Sequence, residues 1–388
     1  MKKIGYVSVR NYNYGSLLQA FALQQYLVQY GIDNELIFYV KRNMFKQFMR
    51  LFNVPLLKAK IGVWKRNVRI AVNPKLKYNF KERNAAFHDF FTNKMICSRP
   101  YIGRTALKKG TANYSAFILG SDQVWNPMNY GVDFYTLTFI PREKIKVTYA
   151  SSFGVSTIPS TQYDGTCRYL KRIDEISVRE ISGQNLVKEL IGRKVPVVVD
   201  PTLLFDSNQW DELLPGKRIC NEQYIFCYFV GNNREHRKAV KELAKKLGLR
   251  LVFIPHVDEY VPEDNEFVDN AYAHLGPSEF VNLIKYADFI CTDSFHATLF
   301  SIQYHKKFVV FDRYKIGQAG NMNTRLASIL GILGLNQRRV NDYNENISLR
   351  IVEDIDYESV DEKLMDFKHS SYEYLDKLLL KLKETTKE

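Results

Sequence analysis

Apolar residues in this chain gather into short runs that close on polar turns and give way to stretches of helical spacing. Lys3 to Val9 alternates as a strand does and feeds the polar, glycine-bearing loop Arg10–Ser16. From Leu17 to Leu27 the spacing is helical, ending before Gly31, and Ile32 to Val40 supplies a second strand. Backbone N–H groups at Gly15 and Ser16 thus open a helix and are placed to face an anion or a sugar. An ordinary strand-to-helix turn is the other reading, since the dinucleotide glycine pattern is absent. Ala116–Leu119, Ile145–Ala150 and Ile176–Val178 read as further strands, with a helix at Tyr163–Ile173 and another opened by Arg179-Glu180. These three strands end in Ser121/Asp122, Ser151/Ser152 and Arg179, a recurrence expected where strand ends line one cleft. Val195 to Thr202 closes this half, and the Pro- and Gly-punctuated residues 201–222 read as a hinge.

A second strand–helix unit follows: strand Tyr224–Val230, helix Arg234–Leu247, strand Arg250–Ile254, helix Pro277–Tyr286 and strand Asp288–Thr292. A last strand, Phe308–Phe311, precedes a helix Asn321–Leu333 that bears Arg325. The pattern predicts an α/β fold, two Rossmann-like domains facing a cleft. Residues 1–200 form the first, with an insertion at about 41–110, and residues 201–345 form the second. The charged amphipathic helix from 356 to 388 packs back on the first domain.

The stretch Phe289–Ile302 reads as strand, polar turn and helix, with Phe295, Leu299 and Ile302 on one face. Asp293 and Ser294 are N-cap types, which holds His296 in the first turn at the carboxyl end of a strand. In open α/β sheets ligands bind at that end. A His that only hydrogen-bonds locally is the blander alternative.

Composition narrows the classes. The 388 residues are 46% hydrophobic, enough for real cores, and no apolar run is long enough to cross a membrane. The amino terminus lacks the apolar core of a signal peptide. Five scattered cysteines without a C-x-x-C pair fit a reducing compartment, with cytoplasm the expected location, and no metal is expected. The net charge of +13 is concentrated: residues 41–110 hold eighteen Lys and Arg against Glu82 and Asp89, a local +16. Within it, Met44, Phe45, Phe48, Met49 and Phe52 form an apolar stripe flanked by Lys41, Arg42, Lys46 and Arg50, with Trp64 further on. Such a helix either packs on the fold or lies on an anionic membrane surface. No helix-turn-helix, zinc-finger or ribonucleoprotein signature accompanies the charge, so nucleic acid is not expected.

Several motifs together resemble the polysaccharide pyruvyl transferase family over about residues 4–345. They are N-Y-G-S-L-L-Q-A-F-A-L-Q (13–24), L-G-S-D-Q-V-W-N (119–126), A-S-S-F-G (150–154), S-V-R-E (177–180), V-D-P-T-L-L (199–204) and T-D-S-F-H-A-T-L-F-S-I (292–302), with Asn323 and Arg325 fitting an N-x-R element. The resemblance implies a fold similar to GT-B glycosyltransferases and transfer of pyruvate from phosphoenolpyruvate to two hydroxyls of one sugar, forming a cyclic ketal. Phosphoenolpyruvate is then the donor substrate, with no cofactor. The acceptor is a sugar of a glycan or lipid-linked precursor, and the inner face of the cytoplasmic membrane is where the basic stripe would hold the protein.

That chemistry needs a general acid for the enol carbon, an anion clamp and a group for the acceptor hydroxyl. His296 is the expected acid, protonated for catalysis once the anionic donor is bound. Arg179 is the first choice for the clamp, because a guanidinium meets carboxylate and phosphate in bidentate fashion. Arg325, Ser294 and Arg313 follow. Asp122 is the residue expected to orient or deprotonate a hydroxyl, with Asn13, Gly15, Ser16, Trp125, Ser151 and Ser152 on the acceptor side. Ser294 stands where the family has an arginine (R-x-H), so another group must supply that charge. The alternatives are a nucleotide-sugar glycosyltransferase of similar fold, and a non-catalytic protein that binds a membrane surface.

Overall fold

The computed structural model describes residues 2–41, 67–68, 71–130, 133–255, 261, 264, 272–313, 324–340 and 347–387. The stripe from Met44 to Trp64 and Asn323 lie outside them. Strand β1 (Lys3–Val7) leads into helix α1 (Tyr14–Gln29), then the short β2 (Asn34–Leu36) and β3 (Tyr39–Val40). Helix α2 (Pro74–Lys94), β4 (Tyr101–Ile102), α3 (Gly103–Gly110), β5 (Tyr114–Leu119) and β6 (Ile145–Thr148) follow, then α4 (Tyr163–Leu170) and α5 (Ile181–Ile191). The four strands of the first sheet are parallel in the order β2-β1-β5-β6. Single bridges from Val147 to Glu175 and from Val178 to Val197 carry the same parallel pairing two segments further.

Helix α6 (Ser207–Leu213) connects to the second sheet. That sheet is made of β7 (Tyr224–Tyr228), β8 (Arg250–Ile254), β9 (Phe289–Thr292), β10 (Lys307–Phe311) and β11 (Arg339–Val340), all parallel in the order β11-β10-β9-β7-β8. Helices α7 (Arg234–Leu247), α8 (Pro277–Tyr286), α9 (Phe295–Gln303), α10 (Thr324–Ile332) and α11 (Ile347–Val352) accompany it. In both sheets the strand order reverses beside the first strand, between β1 and β5 and between β7 and β9. A crevice at the carboxyl ends of the strands follows from such a reversal.

Helix α1 joins the halves. Its residues are apolar almost all round and buried along most of its length, as a helix inside a core must be. Asn13 caps it, accepting from the Ser16 amide at 3.2 Å. Tyr14 stacks on Phe280 of α8 at 4.7 Å, meets Tyr228 edge-on at 5.6 Å and donates through its hydroxyl to the Leu275 carbonyl. One buried cluster therefore runs from Ile4 and Ile118 of the first sheet to Phe226 and Ile290 of the second and Leu299 of α9. The expected hinge at 201–222 is tightly packed over its first part: Trp210 is fully buried, donates to the Thr202 carbonyl and meets Phe300 at 5.0 Å.

The last helix, α12 (Tyr357–Lys387), starts beside the second sheet, where the Tyr357 hydroxyl reaches the Lys306 carbonyl. Further on, Ser371 accepts from the Val199 amide, Tyr374 donates to the Thr148 carbonyl, and Leu375, Leu378 and Leu382 enter the core shared with Ile4 and Ile118.

Candidate active site

The carboxyl ends of the first sheet deliver polar residues to one edge: Ser121 and Asp122 after β5, Ser151 after β6, Arg179 after 176–178, and Asp200 after 197–199. Asp122 sits at φ +80°, a region that costs an L-residue roughly 1–3 kcal/mol. Its surroundings hold it there: its carbonyl accepts from Val124 and Ser152 amides, and its carboxylate accepts from Ser16 Oγ at 2.5 Å and from the Gln123 amide at 2.8 Å. From the second sheet, Ser294 caps α9, accepting from the Ala297 amide. The caps and strand ends together enclose a cavity of about 260 Å³.

The two walls of this cavity differ in chemistry. On the first-sheet side stand Asn11, Asn13, Ser16, Asp122, Gln123 and Asn129, amides and a hydroxyl around one carboxylate. On the second-sheet side stand Ser294, Phe295, His296, Arg313 and Arg325. Arg313 donates to the Asp293 carbonyl at 2.8 Å, and the Asp293 carboxylate is taken up by the Val230 and Gly231 amides. Arg325 is buried against the Phe295 ring, and its Nε has no hydrogen-bond partner among the described residues. Burial first, and the nearby Arg179 next, push the Arg325 guanidinium down to about 10. A cation held at such a cost favours an incoming anion.

Arg179 does not line the cavity. It lies behind Phe295, 4.5 Å from the ring centroid, with a side chain only 1% exposed. Its Nη1 donates to Asp200 Oδ2 at 2.6 Å and to Ser121 at 3.2 Å, and Nη2 is 3.8 Å from Asp122 Oδ1. Four of the expected acceptor residues, Trp125, Ser151, Ser152 and Gly15, are likewise off the wall, each for a local reason. Trp125 is buried against Phe153 and Tyr169, with its indole N–H given to the Tyr135 carbonyl. Ser151 donates to the Gly120 carbonyl and Ser152 to Glu180. Gly15 is a packing position: a Cβ there would come within 2.1 Å of His296 Nδ1.

Asp200 and Glu180 are the residues the sequence reading passed over. Buried Glu180 ties the 152–154 turn together, accepting from Ser152 Oγ and from the Phe153 and Gly154 amides. Burial works to raise the Asp200 carboxyl, but His296 and Arg179 hold it well below the usual carboxylate range. For Asp122, too, burial acts upward and is outweighed by Arg179, then His296, so it stays low. Both aspartates are carboxylates at neutral pH. The signal for Asp200 was present as an acid directly after the apolar run Val197–Val199.

Two parallel sheets meeting at a crevice of this kind define the GT-B class of fold. Among solved structures, the chain is similar to Glycyrrhiza uralensis UGT73P12 complexed with glycyrrhetinic acid 3-O-monoglucuronide, with TM-score 0.52 and 9% identity over 100% of this chain and 96% of that one. It is also similar to the UDP-GlcNAc 2-epimerase from Neisseria meningitidis bound to UDP-GlcNAc, at TM-score 0.46 and 12% identity over 96% and 94% of the two chains. These likenesses concern the fold alone. No curated protein matches the chain. The family model for polysaccharide pyruvyl transferase matches residues 13–314, and the chain belongs to that family, a family of transferase enzymes. No helix among the described residues is long and apolar enough to cross a membrane.

Proposed function

We propose that the protein transfers pyruvate from phosphoenolpyruvate to two hydroxyls of a sugar, forming a cyclic ketal. The observation that carries the reading is the second-sheet wall, where Arg325 and Arg313, beside His296, each keep a buried Nε without a hydrogen-bond partner among the described residues. A carboxylate and a phosphate on one small molecule would satisfy such donors. Arg325 and Arg313 take over the clamp expected of Arg179, and they supply the charge that Ser294 does not.

In this reading His296, as the imidazolium, protonates the methylene carbon of the donor, leaving C2 electron-poor. A sugar hydroxyl adds to C2 and loses its proton. The C2–O bond to phosphate then breaks, and the second hydroxyl closes the ketal. Of the two hydroxyl protons, one replaces that given to carbon and the other leaves with phosphate. Asp122, a carboxylate of low basicity, suits orienting a hydroxyl by accepting its hydrogen bond more than removing the proton outright. The neutral amides of Asn11, Asn13 and Asn129 suit sugar hydroxyls on the same wall. The exposed Lys77, Lys81, Arg99, Arg104, Lys108 and Lys109 support an acceptor carried at an anionic membrane surface, such as a lipid-linked precursor.

The test is calorimetric titration of phosphoenolpyruvate into wild type and Arg325→Ala. Saturable binding should weaken in the variant by about 2–5 kcal/mol. Wild type that takes up a sugar nucleotide and not phosphoenolpyruvate would overturn the reading in favour of a glycosyltransferase.

A further inference from the structure

The buried carboxylate of Asp200 divides its two oxygens between different tasks. Oδ1 accepts from the Thr202 amide at 3.0 Å and from Thr202 Oγ1 at 2.8 Å, which fixes the plane of the carboxylate on its own turn. Oδ2 points away from that turn. It accepts from Arg179 Nη1 at 2.6 Å and Ser121 Oγ at 3.2 Å, and it faces His296 Nε2 at 3.6 Å, within ion-pair range but beyond a hydrogen bond. Asp200 comes from the first sheet and His296 from the second, so this pair crosses the junction between them. On the other side of the imidazole, Nδ1 lies against Gly15 at the start of α1.

We propose that Asp200 is a positioning residue for His296: its carboxylate fixes the proton on Nε2, and Nδ1 is left as the nitrogen that passes a proton to substrate. The inference rests on the pyruvyl-transfer reading for its catalytic half only. A buried ring nitrogen beside a carboxylate and without another acceptor carries its hydrogen toward that carboxylate. In neutral His296, Nδ1 is then the bare nitrogen, which takes up a proton to form the acid and recovers its bare state after the transfer. Arg179 and Ser121 keep Oδ2 aimed, so the orientation of the ring is set by residues that never meet the substrate. Thr202 acts at one further remove.

Two measurements test this in the full-length protein. The first needs no substrate: histidine ¹⁵N spectroscopy, with the His296 resonances assigned by their loss in His296→Gln. The Nε2–H tautomer is expected for neutral His296, and an Nδ1–H tautomer would overturn the proposal whatever the donor is. The second is a double-mutant cycle on phosphate release from phosphoenolpyruvate with acceptor glycan present. Asp200→Asn should lower kcat by about 10²-fold with donor KM changed only a few-fold, and should change kcat less than about two-fold in a His296→Gln background. Equal losses in both backgrounds would show a structural role and sink the proposal. Wild type without any phosphate release would instead count against pyruvyl transfer, leaving the tautomer result to decide on Asp200. Should Asp200→Asn fail to fold, Thr202→Val, which removes one hydrogen bond to Oδ1, should give a smaller loss with the same coupling to His296.

Discussion

Replacing Gly15 by alanine sets two effects of opposite sign against each other. Gly15 lies in the first turn of α1, where alanine is the better helix former by roughly 0.5–1 kcal/mol. Against this, the added Cβ would sit 2.1 Å from His296 Nδ1 and 2.4 Å from Cγ, whereas ordinary contact begins at 3.4 Å. The imidazole must retreat by more than 1 Å, or α1 must lift from α9. Overpacking of this kind costs about 1–3 kcal/mol, so the net effect on stability is a loss of at most about 2.5 kcal/mol. In a chain of this size that moves the melting temperature by only a few degrees. The rate is the sharper readout, because displacing a reacting group by about 1 Å can cost on the order of 10²-fold. Phosphate release from phosphoenolpyruvate should therefore fall by about that factor in Gly15→Ala while the variant stays folded. A variant more stable than wild type with unchanged turnover would refute the close approach of α1 to His296.

Acid should weaken the protein through the buried carboxylates. Asp122 is held low in the folded state, so its contribution is fully present above the unfolded value of about 4 and is lost as pH falls toward the folded one. Asp122→Asn, which tolerates the same φ, should lose about 1–3 kcal/mol at pH 7 and show a flatter decline in stability below pH 4 in urea titrations. A decline parallel to wild type would contradict this. The exposed Lys77, Lys81, Arg99, Arg104, Lys108 and Lys109 should carry the protein down with vesicles containing anionic lipid in a sedimentation assay, and less so as salt is raised. Equal recovery in the supernatant with neutral and anionic vesicles would remove the membrane reading.

Much of the fold was legible because local signals agreed with the final packing. Helices 234–247 and 277–286 and strand 250–254 have the bounds their periodicity predicts, since caps and apolar faces coincide. The strand expected over 32–40 is broken in two, because residues 34–36 pair with β1 and 39–40 with β4. Of the residues that strand ends and motifs single out, His296, Asp122, Ser16 and Arg325 line one cavity. Trp125 misled because its neighbours Ser121, Asp122 and Asn126 look like an open turn, while Phe153 and Tyr169, which cover it, are distant in sequence. Arg179 misled in the same way: its burial depends on Asp200 and Phe295, one from each sheet. Serines 151 and 152 ended a strand as cavity residues do, but the backbone and Glu180 consume their hydroxyls.

The position of α12 bears on how the molecule is made. The ribosome delivers β1, β5 and β6 early, yet the leucines and Tyr374 that cover them arrive only with residues 374–382. At roughly 5–20 residues per second, about ten seconds to a minute separates β5 from its cover. During that interval the nascent first sheet presents an apolar face, which stays uncovered until α12 has emerged and packed on it.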